Sequence, residues 1–497
     1  MSQLRGARGA LVGNYAALAV ALVSQLVLLP LLLTRLGATE AGFFVVLWSI
    51  VNFAGAAIGW LSGGGTVLLT QAAAAGDESV LASQYRRFAR GMAAYGALGW
   101  ALLALWSLGV GGWWMRETAN GDAAQIRMAV HGAGAYMLAL DVHQADLALL
   151  TARLEQTRVA VFRVILQLLM FAFGACGILW GGGVAALFVG YAAAAILVAG
   201  SAHLLVRRTI WPRPTTAAPH LSAAQSGSLS RFAGYSIAFS VLQHADTLIL
   251  IVVAGPVVVI TLTFLQRLPD AASLLVGRAS ETLGPYYTAM SSGGDRDTLQ
   301  RTFLTASRVI WRLAAVAGAG FAVFGRDVVQ WWSRGELDLP PQWFFIGSGI
   351  VLAASIVNRN SSLLAYYSGA PGAATRLLVS ELVLRMTVVL SLAHRFGATA
   401  PIIAAFLAQI AFLLVAYRRL ESEVLHVRPA VLFASCAWPA FASALPATLL
   451  MVGIRALTTS AMHERAIALL AAGIAVVAVL AFQERALGRQ VFRRRRA

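Results

Sequence analysis

The feature that most constrains this chain is the recurrence of long apolar runs separated by short, arginine-bearing breaks. Inside hydrocarbon no water satisfies peptide N–H and C=O groups, so such runs are stable only as helices or as strands of a closed barrel. The apolar residues do not alternate with polar ones, which removes the barrel. About 20 residues cross a hydrocarbon core of roughly 30 Å. The spacing predicts helices near 11–33, 42–61, 92–114, 127–150, 159–180, 184–206, 232–254, 257–290, 309–325, 343–366, 377–394, 400–417, 430–453 and 465–482. The expected fold is all-α and polytopic, with about 14 transmembrane helices.

Composition enters here to exclude alternatives. With 59% hydrophobic and 12% charged residues, the chain carries about half the charge of an ordinary soluble domain, which excludes a soluble enzyme and a disordered protein. The net charge of +17 does not indicate nucleic acid, because the basic residues, all of them arginine, are scattered between apolar runs. Cys176 and Cys436 each sit inside an apolar run, and the eight histidines lack metal-ligand spacing. No cofactor or metal is implied. The first run is longer than a signal peptide's apolar region and is expected to stay as the first helix.

Arginine counts set the expected orientation. With the N-terminus in the cytoplasm, inner segments hold 25 arginines and outer ones 8, so both termini are expected inside. The basic tail at 483–497, ending in Arg493–Arg496, then faces anionic lipid headgroups. A Pro-, Ser- and Thr-rich break at 207–231 divides an N-terminal lobe, 1–206, from a C-terminal lobe, 232–417; the pair at 430–482 is extra. A shift of 218 residues lays Leu36-Gly37 on Ala254-Gly255, Gln25 on Gln243 and Asn52 on Asp270. Two related six-helix lobes around a central cavity are the arrangement expected of a transporter.

Charge inside the membrane is costly, so each such residue must face protein or a wet cavity. On the span 257–290, Arg267, Asp270, Arg278 and Glu281 fall within roughly 80° of one helix face, with Pro269 among them. Two readings are open: a cavity stripe that meets substrate, or two i,i+3 ion pairs that lock the lobe. Asp246 lies beside Gln243 and His244, and Asp141 lies near Gln144 and Asp146. Arg163 stands near one end of its span, and Arg359 stands between Asn358 and Asn360. Glu381 and Arg385, one turn apart, read as a self-sufficient pair. Gly63–Gly65 and Gly181–Gly183 lack the Lys-Ser/Thr of a phosphate loop and read as helix ends. The segment 77–91 reads either as a short amphipathic helix on the inner surface or as a solvated loop.

These residues carry a resemblance. LVLLPLLLTRLGATEAGFFVVLWSIVNFAG resembles the first hairpin of Wzx-type polysaccharide flippases, of the multidrug/oligosaccharidyl-lipid/polysaccharide exporter superfamily. The stretch from Ala245 to Met290 is similar to their seventh and eighth helices, in the acid Asp246, the turn glycine Gly255, Arg267 with Pro269, and Pro285. Gly-Pro-Val-Val-Val-Ile at 255–260 departs from the family's more common turn. The resemblance, over most of 11–417, implies a non-enzymatic flippase in the bacterial inner membrane. It implies alternating-access export of an undecaprenyl-pyrophosphate-linked oligosaccharide for exopolysaccharide, capsule or O-antigen synthesis, with a polysaccharide polymerase as a further partner. Arginine suits pyrophosphate, because its planar fork binds phosphate oxygens in pairs and stays charged. Arg267, Arg278, Arg359 and Arg163 are the expected pyrophosphate cluster. Asp246, Asp141, Asp270 and Gln243 are the expected coupling or cavity residues. The rival readings are a cation-coupled drug or metabolite antiporter of the same superfamily and, from another class, a membrane polymerase or glycosyltransferase.

Overall fold

The computed structural model describes residues 2–57, 65–66, 69, 72–73, 78–109, 123–153, 155–209, 223–292, 296–368, 370–426 and 428–457. All regular structure among them is helical: α1 (Ser2–Ala57), α2 (Glu78–Leu108), α3 (Ala123–Ala152), α4 (Gln156–Leu179), α5 (Gly183–Thr209), α6 (Ala223–Ala254), α7 (Pro256–Ser292), α8 (Arg296–Trp332), α9 (Gln342–Tyr367), α10 (Pro371–Phe396), α11 (Ala400–Ala411), α12 (Tyr417–Leu425) and α13 (Pro429–Leu457). A π-helical turn, Phe412–Ala416, joins α11 to α12. Nine helical segments among the described residues are long and apolar enough to cross a membrane. The chain is an all-α, multi-pass membrane protein. The last expected span, 465–482, the basic tail, Gly63 and Gly64 lie outside the described residues.

Sequence dictates where the long helices break. α1 holds both the first and second expected spans and turns at Gly37, whose φ of 79° suits a residue without Cβ. Gly255, the residue that a 218-residue shift lays on Gly37, has φ 85° between α6 and α7. Both halves of the sequence therefore turn on a glycine at the same register. α7 continues through Pro269 as one helix.

One expectation needs correction. From Glu78 on, segment 77–91 is neither a separate surface helix nor a loop, because α2 begins there and runs on without a break. Leu81, Tyr85, Phe88 and Met92 recur at helical spacing and are buried, while Arg86, Arg87 and Arg90 occupy the exposed side. That stripe holds the first turns against the bundle, which a helix lying on a membrane surface would not require. α8 likewise extends the expected 309–325 in both directions; at 1.5 Å per residue it is longer than a hydrocarbon core is thick.

The described residues form two compact units, 1–260 and 261–497. In the first, α3 packs against α2 and α5, and α4 packs against α1 and α5. In the second, α9 packs against α8 and α11, α10 packs against α11, and α13 covers α8. Large aliphatic side chains face outward in both, among them Leu102, Leu105 and Ile196 in the first and Val383, Leu390 and Leu449 in the second. Lipid is the solvent that tolerates such a surface. Within the second unit Gly318 and Gly349 allow α8 and α9 to touch backbone to backbone; a Cβ on Gly349 would lie 2.2 Å from the Gly318 carbonyl oxygen.

Candidate functional site

The first unit contains a cavity of about 380 Å³ between α1, α2, α3 and α6. Its polar lining is Asn52, Tyr136, Asp141, Gln144, Gln243 and His244, and its apolar lining includes Val51, Met92, Met137 and Leu140. Asp141 is only 5% exposed, and its Oδ2 has no hydrogen-bond partner. Gly96 on α2 makes room for this carboxylate, since a Cβ there would stand 2.9 Å from Oδ2. Asn52 Nδ2 donates to the Trp48 carbonyl at 2.8 Å, which leaves its amide oxygen and second N–H for other partners. Behind Tyr136 stand Trp48 at 5.7 Å and Tyr191 at 6.0 Å between ring centroids, and Phe44 and Phe188 complete the aromatic group. Asp246 is buried on α6, three residues beyond Gln243 and thus on the same side of that helix.

Arginines occupy the second unit. Arg359, half-buried on α9, lays its guanidinium over Gly277 of α7: a Cβ on Gly277 would lie 3.5 Å from Nε and 3.6 Å from Cζ. Gly277 immediately precedes Arg278. Arg267 is half-buried on the same helix, and Asp270 is exposed. The side chains of Arg278 and Glu281 lie outside the described ones. Arg163 belongs to the first unit, exposed on α4 and close enough to interact electrostatically with buried His143 of α3. Of the expected pyrophosphate arginines, Arg267 and Arg359 thus belong to the second unit and Arg163 to the first.

Other polar residues on the spans are absorbed into contacts between helices. Asn358 Nδ2 donates to Gln409 Oε1 at 2.7 Å, Gln409 donates to Glu381, and the Tyr417 hydroxyl donates to Glu381 at 3.3 Å. Glu381 therefore belongs to a network over α9, α10, α11 and α12, a wider set than the expected pair with Arg385. Asn360 donates to Ser307 at 3.0 Å. Arg418 pairs with Glu421, donates to Ser361 Oγ at 2.9 Å and lies 5.2 Å above the Trp311 ring. These partners turn Asn358, Asn360 and Ser361 into the unit and leave Arg359 on a different side of α9.

A further group escaped the reading of the sequence. The Tyr85 hydroxyl donates to buried Asp146, whose Oδ1 also lies 3.4 Å from His203 Nδ1. Its members come from α2, α3 and α5, and no local spacing links them. Among the described residues no group of three or more His, Cys, Asp or Glu could hold a metal ion.

No protein-family model matches the sequence, and no curated protein matches it. Solved structures do. The lipid II flippase MurJ in an inward closed conformation superimposes with a TM-score of 0.66 at 13% identity, covering 96% of this chain and 99% of that one. A multidrug resistance MATE family transporter of the MOP superfamily in an inward-facing conformation gives 0.65 at 13% identity, over 83% and 98%. A MOP superfamily transporter from Pyrococcus furiosus gives 0.58 at 12% identity, over 84% and 96%. The chain has the fold of these transporters.

Proposed function

We propose that this chain is a flippase of the MOP superfamily, of the Wzx type, which carries an undecaprenyl-pyrophosphate-linked oligosaccharide from the inner to the outer leaflet of the bacterial inner membrane. One observation carries the reading: the Arg359 guanidinium lies against the helix that bears Arg267 and Arg278. A guanidinium so placed suits a diphosphate, whose oxygens take paired, charge-assisted hydrogen bonds from arginine. Likeness in fold to a lipid II flippase, over nearly the whole of both chains, supports it.

In this mechanism the pyrophosphate meets Arg359, and Arg267, Arg278 and Arg163 are the further candidates to hold its oxygens. The two lobes, divided at 207–231, alternate access by rocking, as transporters built from repeats do. Asp246 and Asp141, with Gln243 and Asp270 as further polar candidates, couple the motion to an ion or proton. Both termini are cytoplasmic, the basic tail holds anionic lipid, and a polymerase receives the product outside. No covalent bond changes.

Reconstituted protein and a fluorescent polyprenyl-pyrophosphate oligosaccharide provide the test. Arg359→Ala should slow flipping by about tenfold or more, the size expected when a charged hydrogen-bond donor is lost, and Arg267→Ala should also slow it. If both variants flip at the wild-type rate, the pyrophosphate assignment is wrong. A second reading, a cation-coupled antiporter, is favoured by Asp141, whose Oδ2 is unpartnered, in a cavity with no arginine among its described lining residues. It requires that a hydrophobic cation, and not the lipid-linked sugar, be moved by the same liposomes.

A further inference from the structure

The cavity of the first unit differs in chemistry from the surroundings of Arg359 in the second. Resting on the flippase reading, we infer that this cavity is a sugar subsite selective for neutral and amino sugars over acidic ones. Its volume of about 380 Å³ lies at the small end of ligand pockets. That size fits pyranose rings and not a polyprenyl chain. Gln144, Gln243 and Asn52 each offer an amide, able both to donate to and accept from sugar hydroxyls. Tyr136 adds an aromatic wall, held rigid by Trp48 and Tyr191. An apolar ring face beside a few fixed polar groups is what a pyranose, with C–H faces and hydroxyl edges, can use.

Asp141 supplies the selectivity. Its carboxylate is more than nine-tenths buried, its Oδ2 is unpartnered, and no arginine stands among the described lining residues. Hydroxyl or ammonium groups of a sugar satisfy such an oxygen. A sugar carboxylate about 5 Å away, at an effective dielectric near 20, is disfavoured by well over tenfold.

The test uses the full chain in nanodiscs at pH 8 with three probes that share one short-chain prenyl pyrophosphate: the bare carrier, the carrier bearing N-acetylglucosamine, and the carrier bearing glucuronic acid. Equilibrium affinities are expected to rank N-acetylglucosamine above the bare carrier and at least about tenfold above glucuronate. Asp141→Asn should bring the two sugar probes within about threefold by admitting glucuronate, a gain that misfolding cannot produce. Equal binding of both sugar probes by the wild type, or an unchanged ratio in Asp141→Asn, overturns the subsite. Sugars that add nothing to a carrier that binds overturn the subsite alone and leave the pyrophosphate reading standing. Failure of all three probes to bind overturns both. Displacement of the N-acetylglucosamine probe by tetraphenylphosphonium, lost in Asp141→Asn, makes the cavity a cation site and also overturns the proposal.

Discussion

Helices α3 and α9 hold comparable positions in their units, each packed between the helix before it and the helix two places after it. They are also the two long helices too polar to count among the nine apolar segments. Yet their polar residues meet different fates. On α9, Asn358, Asn360 and Ser361 all find partners on neighbouring helices. On α3, Asp141 faces a cavity with an oxygen unpartnered, and both ring nitrogens of His143 lack hydrogen bonds. The same sequence signal, polar residues in a membrane span, thus marks structural cross-links at some positions, Asp146 of α3 and Asn358 of α9, and candidate binding positions at others, Asp141 of α3 and Arg359 of α9. Partners on adjacent helices decide between the two uses.

The largest expected effect lies on the cross-linked side. Arg418 and Glu421 are buried, and Arg418 also serves Ser361 of α9 and the Trp311 ring. Arg418→Met removes one partner and leaves a buried carboxylate exposed to no compensating charge, at a cost of about 3–5 kcal/mol. Thermal unfolding of the detergent-solubilised protein should show it as the most damaging polar substitution. Replacing both partners by apolar residues of similar volume should recover most of the loss, as such swaps are often neutral. If Arg418→Met melts with the wild type, the pair does not hold α9, and the contrast with α3 loses its firmer half.

Next in size is the contact between backbones. α8 and α9 cross at Gly318 and Gly349, and a Cβ at 349 would lie 2.2 Å from a carbonyl oxygen. Gly132 on α3 meets α5 less tightly, with a Cβ contact of 2.9 Å to the Phe188 backbone. Gly349→Ala should therefore cost about 1–3 kcal/mol, and Gly132→Ala should cost less, because a smaller shift restores contact. Equal losses in the two melts would mean that the two helix contacts adjust alike.

Much of the fold was legible because its cause is local and repeated. Apolar runs of membrane length, with glycines at 37 and 255 to turn them, follow from backbone hydrogen bonding and from steric limits that read directly from sequence. Segment 77–91 was harder, because Arg86, Arg87 and Arg90 dominate its composition while Leu81, Tyr85 and Phe88 decide its burial. The cavity was legible in its members, since Asp141, Gln144, Gln243 and His244 stand out as polar residues in apolar spans. Asn358 and Arg359, neighbours in the chain, could not be told apart in the same way. Successive residues on a helix point about 100° apart, so one joins Gln409 and the other lies on Gly277, and only the packing of α7 and α11 reveals which. Tyr85, Asp146 and His203 illustrate the limit, because three helices must assemble before the group exists.

The smallest expected effect is a difference in sign between the two polar helices. Asn358→Ala unpairs Gln409 and, through it, disturbs Glu381, so it should cost about 1 kcal/mol, near the upper half of what interhelical hydrogen bonds contribute in membranes. Asp141→Asn removes a buried charge whose Oδ2 has no partner to lose, so stability should stay level or rise by up to about 1 kcal/mol. Both proteins can be melted in the same detergent, where the comparison is internal and the detergent's own effect cancels. A binding surface retains polar groups that folding alone would discard, and that is what a stabilising Asp141→Asn would express. Should Asp141→Asn instead lose as much stability as Asn358→Ala, the Asp141 carboxylate is holding the first unit together, as Asp146 does through Tyr85 and His203, and it has no free oxygen to offer a ligand.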